Sequence, residues 1–267
     1  MTTNQKEPAI VFFDIETTLA QFWGFRLGDQ KLGWEQIKKE PVVCAICWAV
    51  GDGEVKSSTF DLGLYDPDAY DDDSDYRILS KFVDIANSAD LLVGHNGKAF
   101  DIGFMRGRLL KHELPDIAPV LIDDTYLKTK GIRTMSHKLG YMLKFLGLGE
   151  KVEHSGLDMW KRVGVGDKKA LRDMVEYCKG DVEKVRQLYK RVRPYINSNL
   201  SLAVFYGMPD ICPKCGGAGV TKRGFSYTAV SKRQRYQCVD CNWWGTDGIN
   251  LLAQVGKPTR PTKLIKR

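Results

Sequence analysis

Residues 9–16 read Ala-Ile-Val-Phe-Phe-Asp-Ile-Glu, and this octapeptide constrains the chain more than any other stretch. Apart from its two acids it is wholly apolar, and Pro8 and the Thr17-Thr18 pair bound it, so it is expected to form a strand buried on both faces. Asp14 and Glu16 are two apart, so on a strand both side chains leave the same face. Two anions about 5 Å apart at an effective dielectric near 20 repel by roughly 3 kcal/mol, with desolvation added. A fold keeps such a pair where a cation neutralises it, or where the face opens to water at a sheet edge. The octapeptide alone leaves both readings open.

Two further stretches carry acids where a core is expected. In Gly94-His95-Asn96-Gly97-Lys98-Ala99-Phe100-Asp101 a strand ends in a glycine-containing turn, and Asp101 falls in the first turn of the next helix. The helix dipole favours an acid there too, so Asp101 reads equally as a dipole partner. Tyr177 and Asp181, at i and i+4, flank the apolar stripe Leu171, Val175, Cys178, Val182, Val185 and Tyr189 of a long helix. Asp181 lies at the stripe's edge, where a partly buried carboxylate needs a partner.

Around these stretches the periodicities predict α/β alternation. Strands are expected over 41–50 and 54–60, paired antiparallel through Gly51-Asp52-Gly53, and again over 91–94 and 119–123. Helices are expected over 76–86, 99–112, 135–146 and 168–193, with Pro194 ending the last. The Asp-rich segment 66–75 lacks the glycine and final glutamate of a calcium-binding loop and reads as solvated. Asp123 and Asp124 read as the cap of a following helix, with a supporting role near the other carboxylates as the alternative. Gly164-Val-Gly166 lacks the third glycine and the strand context of a dinucleotide loop, and no phosphate-loop lysine is present, which argues against nucleotide-cofactor chemistry.

Taken in order, Asp14-Ile-Glu16, the Asn96–Asp101 stretch ending in Phe-Asp, and Tyr177-x-x-x-Asp181 resemble the three signature motifs of DEDD exonucleases. The tyrosine marks the DEDDy branch. The resemblance covers about residues 9–193 and is similar to the exonuclease domains of family B DNA polymerases and their stand-alone phage and bacterial relatives. It implies a ribonuclease H-like domain: a mixed five-stranded sheet, its second strand antiparallel, with helices on both faces. It also implies that Asp14, Glu16 and Asp181 hold one magnesium or manganese ion, that Asp14 and Asp101 hold a second, and that Tyr177 orients the attacking water. His95, Asn96 and Phe100 are candidates to contact the terminal nucleotides.

Seven cysteines, four of them in Cys212-x-x-Cys215 and Cys238-x-x-Cys241, point to metal ligation in a reducing compartment rather than a disulfide framework. Two such knuckles 22 residues apart suit a zinc ribbon with a hairpin between them, and one structural zinc is expected to stabilise it by on the order of 10 kcal/mol. Cys44 and Cys47 share the spelling, but on a strand their odd separation is expected to send them to opposite faces as core residues.

From Ile211 onward eleven Lys/Arg face two Asp/Glu, leaving 29 Lys/Arg against 31 Asp/Glu before it, so long-range attraction for a polyanion belongs to the C-terminal end. There Lys222, Arg223, Lys232, Arg233 and Arg235 interleave with Phe225, Tyr227, Tyr236, Trp243 and Trp244, a pattern suited to phosphate and base contacts. The same aromatics would also serve as the ribbon's own small core.

The expected organisation is a nuclease domain over 1–196, a linker over 197–210, the ribbon over 211–250 and a basic tail over 251–267. No stretch reaches the roughly 20 apolar residues of a membrane span, and residues 1–6 are polar rather than signal-like, which suggests a cytoplasmic protein. Single-stranded DNA with a free 3′ end is the expected substrate, hydrolysed in the 3′–5′ direction. Two other readings stand beside it: the same chemistry on RNA, and an inactive nuclease-like body whose ribbon recruits nucleic acid, a polymerase or another replication protein.

Overall fold

The structure, a computed structural model, describes residues 6–24, 31–153 and 155–251. The chain divides into two compact units, one ending at Val192 and the other beginning at Arg193. Among the described residues no helix is long and apolar enough to cross a membrane.

In the first unit the predicted central strand is β1 (Ile10–Thr17). A short hairpin follows, β2 (Gln21–Phe22) against β3 (Ile37–Lys39). Next come β4 (Val43–Val50), β5 (Lys56–Thr59), helix α1 (Tyr76–Asn87), β6 (Leu91–Gly94), helix α2 (Asp101–Lys111) and β7 (Leu121–Asp124). Four helices complete the unit: α3 (Thr125–Thr129), α4 (Leu139–Leu146), α5 (Leu157–Val163) and α6 (Lys168–Val192). The sheet runs β5-β4-β1-β6-β7, with β4 antiparallel to both neighbours and the β1-β6-β7 pairs parallel. This is a mixed five-stranded α/β sheet in which β4, between β5 and β1, is the antiparallel strand.

β1 alternates between two helical layers. Phe12 meets Tyr189 of α6 edge-on at 5.7 Å, while its neighbour Phe13 meets Phe82 of α1 at 5.4 Å. Successive strand residues point to opposite faces, so α6 and α1 cover opposite sides, and Asp14 and Glu16 share the α6 side with Phe12.

Three expectations need correction. Cys44 and Cys47 are both fully buried, but not on opposite faces: Cys44 Sγ lies 3.3 Å from Met174 Sδ and Cys47 Sγ 3.7 Å from the Val175 carbonyl, both on α6. The register passes from Glu16↔Ala45 to Thr17↔Val43, so Cys44 is the extra residue of a bulge that breaks the alternation.

The Asp-rich segment is not a solvated loop, because Asp72 and Asp75 are buried. Asp75 takes a two-pronged contact from Arg108 of α2, at 2.8 Å to each oxygen, and His112 at 2.8 Å. The buried Lys39 ammonium donates to the Asp66 and Ala69 carbonyls and faces Asp72 at 3.9 Å. Paired cations reach the segment from β3 and α2, which its own sequence could not reveal.

The stretch 197–210, expected as a linker, holds a buried Leu200 and helix α7 (Leu202–Phe205), whose first N–H donates to the Pro213 carbonyl at 2.9 Å. It packs within the second unit. That unit's sheet has three antiparallel strands, β8 (Val220–Tyr227), β9 (Lys232–Cys238) and β10 (Trp244–Thr246), in the order β10-β9-β8. The basic tail, beyond Leu251, lies outside the described residues.

Candidate active site and metal centres

Asp14 and Glu16 leave β1 toward α6, where Cys178 Sγ contacts the Asp14 carbonyl at 3.5 Å. Asp101 is the first residue of α2, and its Oδ1 accepts the Ile15 N–H at 3.1 Å, which fixes its carboxylate between the two β1 acids. The turn before it is tight. A Cβ on Gly97 would stand 3.3 Å from both the Gly94 Cα and the Phe13 ring, and Asn96 between them adopts φ 66°, so only small residues let the turn lie on β1. Asp124 caps α3 through the Leu127 N–H and also accepts the Asn96 and Lys98 N–H groups at 2.9 and 3.1 Å. It therefore both caps a helix and braces the turn that presents Asp101. Asp123 points elsewhere, accepting from Tyr189 at 2.8 Å.

Tyr177 and Asp181 occupy one face of α6, both buried. Between them stands Lys151, whose ammonium donates to Asp181 Oδ2 and to the Tyr177 hydroxyl, each at 2.6 Å. Neither Lys151 nor Trp160, which hydrogen-bonds Glu16 and meets the Tyr177 ring edge-on at 6.0 Å, stood out from the sequence. A single lysine in a Gly-Leu-Gly-Glu-Lys loop has no periodicity to mark it. One signal was present: Gly180 stands inside a long helix, where glycine is a poor helix former.

The electrostatics follow from burial. Desolvation, then Asp101, Glu16 and Asp181, hold the Asp14 carboxyl well above the usual carboxylate range. Burial, then Asp181, push Glu16 up to about 8 despite Lys151 and the Trp160 hydrogen bond. Burial lifts Asp101 to about 6 against the lowering effect of its backbone N–H partners. Burial pulls the Lys151 ammonium down, but its bonds to Asp181 and Tyr177 outweigh that and raise it. Ionising all four carboxylates, from three elements, would place more negative charge here than one lysine offsets, so protons are held here unless a cation replaces them. Clustered hard oxygen donors whose ionised forms repel one another suit a divalent cation such as magnesium or manganese.

Beside Lys151 opens a cavity of about 700 Å³, lined also by His95, Asn96, Tyr126, Lys138, Leu139 and Tyr141. His95 is held by Thr125 at 2.9 Å, and burial brings its pKa down to about 4, so it stands there as a neutral ring. Tyr126 packs edge-on against His95, and Tyr141 stacks on Phe145 with 10° between the planes. Phe100, half exposed and stacked on Phe104, is not among the lining residues.

In the second unit the four sulfurs of Cys212, Cys215, Cys238 and Cys241 lie within 4.8 Å of one another. Two pairs, Cys212–Cys241 and Cys215–Cys238, stand 3.7 Å apart. That is too far for a disulfide and close to the roughly 3.8 Å edge of a tetrahedron with metal–sulfur bonds of about 2.3 Å. The Lys214 and Gly217 N–H groups each lie 3.4 Å from a sulfur and would steady thiolates. The cluster fits a tetrahedral metal ion. Lys222, Arg223, Lys232, Arg233 and Arg235 all lie on β8 and β9 of this unit.

No curated protein matches the chain. Among solved structures, the family B DNA polymerase from the hyperthermophilic archaeon Pyrobaculum calidifontis is similar, with a TM-score of 0.49 and 16% identity. The likeness covers 71% of this chain and 25% of the polymerase, so the chain spans about a quarter of that protein's length. A family model described as the RNase_H superfamily matches residues 43–193, from the first residue of β4 to just past α6, and so does not include β1 with Asp14 and Glu16. That match takes in more than half of the sequence, and the chain belongs to the RNase_H superfamily.

Proposed function

We propose that this protein is a metal-dependent 3′–5′ exonuclease that hydrolyses phosphodiester bonds at single-stranded DNA ends. The observation that carries the reading is the convergence of Asp14, Glu16, Asp101 and Asp181, with Tyr177, at one largely buried place where the carboxylates repel one another. A superfamily of nucleic-acid hydrolases is its natural context. Asp14, Glu16 and Asp181 would hold one divalent cation, and Asp14 with Asp101 a second. Such a pair of ions, when bound, supplies the positive charge that activates an attacking water and stabilises the departing 3′-oxygen.

The chain's own groups do the positioning. The Tyr177 hydroxyl, its pKa pushed up to about 12 chiefly by burial, stays protonated and can orient the attacking water. Lys151 fixes that hydroxyl and presents a cation to an approaching phosphate. The rings of Tyr126 and Tyr141 beside the cavity offer stacking faces to bases that a duplex would keep stacked on each other, which favours a single strand. The four-cysteine cluster would hold one structural zinc.

The test is release of mononucleotides from the 3′ end of matched DNA and RNA oligonucleotides with magnesium or manganese present. DNA is expected to be shortened from its 3′ end, and Asp14→Ala or Asp181→Ala to lower the rate by at least about a hundredfold with the fold intact. Undiminished hydrolysis by either purified variant overturns the site. Release of nothing from either strand, with both metals tried, leaves the adaptor reading in its place.

A further inference from the structure

The second unit's sheet has two unlike faces. Cross-strand partners project to the same side, so Cys238, Tyr236, Gln234 and Lys232 of β9 share a face with Val220, Lys222, Phe225 and Tyr227 of β8. This face is occupied by its own chemistry. It carries a cysteine of the metal cluster, and the Lys232 ammonium sits 4.2 Å from the Phe225 ring centroid and 5.8 Å from that of Tyr227. The opposite face is displayed: along β9, Arg233 and Arg235 are exposed while their neighbours Lys232, Gln234 and Tyr236 are half-buried.

On β10, Trp244 stands opposite Gln237, which puts it on the arginine side. Its ring is 52% exposed, and the Arg235 guanidinium lies 6.0 Å from the ring centroid. Facing Arg235 on β8 is a bulge at Gly224, whose φ of 69° favours glycine and where a Cβ would only rest against the guanidinium, at 3.5 Å. Between Val220 and Cys238 five Lys/Arg occur with no Asp or Glu. Among the described residues neither Arg233 nor Arg235 has a carboxylate partner.

We infer that this face, built from Arg233, Arg235 and Trp244, is a binding surface for single-stranded nucleic acid, separate from the carboxylate site. Guanidinium groups pair with phosphate oxygens in a planar, two-pronged geometry, and two of them at i and i+2 on a strand are spaced to follow a backbone. The exposed indole beside them stacks an unpaired base. A duplex would leave the indole unused, since its base faces are stacked internally. An acidic polypeptide would satisfy the arginines and ignore the ring. The inference rests on the nuclease reading only for the class of ligand.

The experiment measures binding of the full chain to a labelled oligothymidylate of about 20 nucleotides, across a salt series and without added divalent cation. Arg233→Glu with Arg235→Glu should weaken binding at least about tenfold and lower the log–log salt slope by about 1.4, or 0.7 for each phosphate on a single strand that is no longer neutralised. Trp244→Ala should weaken the single strand while leaving a blunt duplex unchanged, and Lys232→Ala, on the other face, should change affinity by less than about threefold. Bound-metal content reports the fold of each variant. Should the charge reversal lose its metal, Arg233→Gln with Arg235→Gln carries the same test.

Wild-type affinity and salt slope in the arginine variant would overturn the inference, as would equal losses on single strand and duplex in Trp244→Ala. Displacement of the oligonucleotide by polyglutamate at equal charge concentration would assign the surface to acidic protein instead. A chain that binds through these residues and cleaves nothing removes the nuclease reading alone. One that cleaves while its binding ignores them removes this inference alone.

Discussion

Lys151 answers, from within the chain, the charge problem that the carboxylates create, and it does so at the oxygen of Asp181 that a metal would also seek. Lysine and a divalent cation would therefore compete for Asp181. Lys151→Met should lower the magnesium concentration needed for half-maximal activity, yet reduce the rate at saturating magnesium by about ten- to a hundredfold, because the Tyr177 hydroxyl loses its anchor. A magnesium titration of both proteins checks this, and coincident curves would remove Lys151 from the site's working parts. Glu16 gives a second handle. Its pKa rises on folding from 4.5 to about 8, so its contribution to stability is fully present below pH 4.5 and lost as the pH rises through about 8. Glu16→Gln cannot ionise. Without divalent cation the variant should melt at the parent's temperature near pH 4.5 and above it near pH 9, by roughly 2–4 °C per kcal/mol recovered. Added magnesium should close the gap by stabilising only the parent. Parallel melting curves across that range would show that the Glu16 carboxylate is not held in the environment described.

Among the elements, the loop after α4 decides whether Lys151 can reach its partners. Lys184 of α6 donates to the Leu148 carbonyl at 2.9 Å, and Val152 lies directly over Gly180, so close that a Cβ there would come within 2.4 Å of Val152 Cγ2. Gly180→Ala sets two effects against each other. It should favour the helix by up to about 1 kcal/mol, while pushing Val152, and Lys151 with it, off the surface of α6. The expected result is a protein no less stable by thermal melting but slower in cleavage, with activity recovered in Gly180→Ala combined with Val152→Ala. Loss of stability without loss of rate would place the role of Gly180 elsewhere. This loop also marks where sequence reading ran out. Strands and helices with clear periods were legible, and Asp14, Glu16 and Asp181 stood out because an acid in or beside an apolar run violates its own local pattern, whereas Asp101 and Tyr177 were marked only by the motif set they complete. Lys151, Trp160 and the buried Lys39 and Arg108 violate nothing local, and they acquire meaning only through partners far along the chain. The α6 stripe was legible to within one residue: Met174 is buried where Val175 was expected, a step of about 100° on the helical wheel.

Across the whole molecule, the two compact units depend on different sources of stability. The first has a continuous apolar core that joins β1, β4, α1, α2 and α6. Among the described residues the second buries few apolar side chains around the cysteines, chiefly Ile196, Leu200, Leu202 and Ile211, so a metal ion held by the four cysteines would supply much of what a larger core does elsewhere. Cys212→Ser removes one ligand at the buried end of the cluster. The remaining three thiolates should hold zinc weakly, and that unit should lose cooperative unfolding while the first keeps its own transition. If the carboxylate site belongs to the first unit alone, the variant should cleave an oligonucleotide too short to span both units at the parental rate. On long single strands its KM should rise with kcat little changed, because distant contacts add to binding without altering the reacting centre. Equal loss of kcat on short and long strands would mean that the second unit takes part in catalysis, and that the two do not work as separable modules.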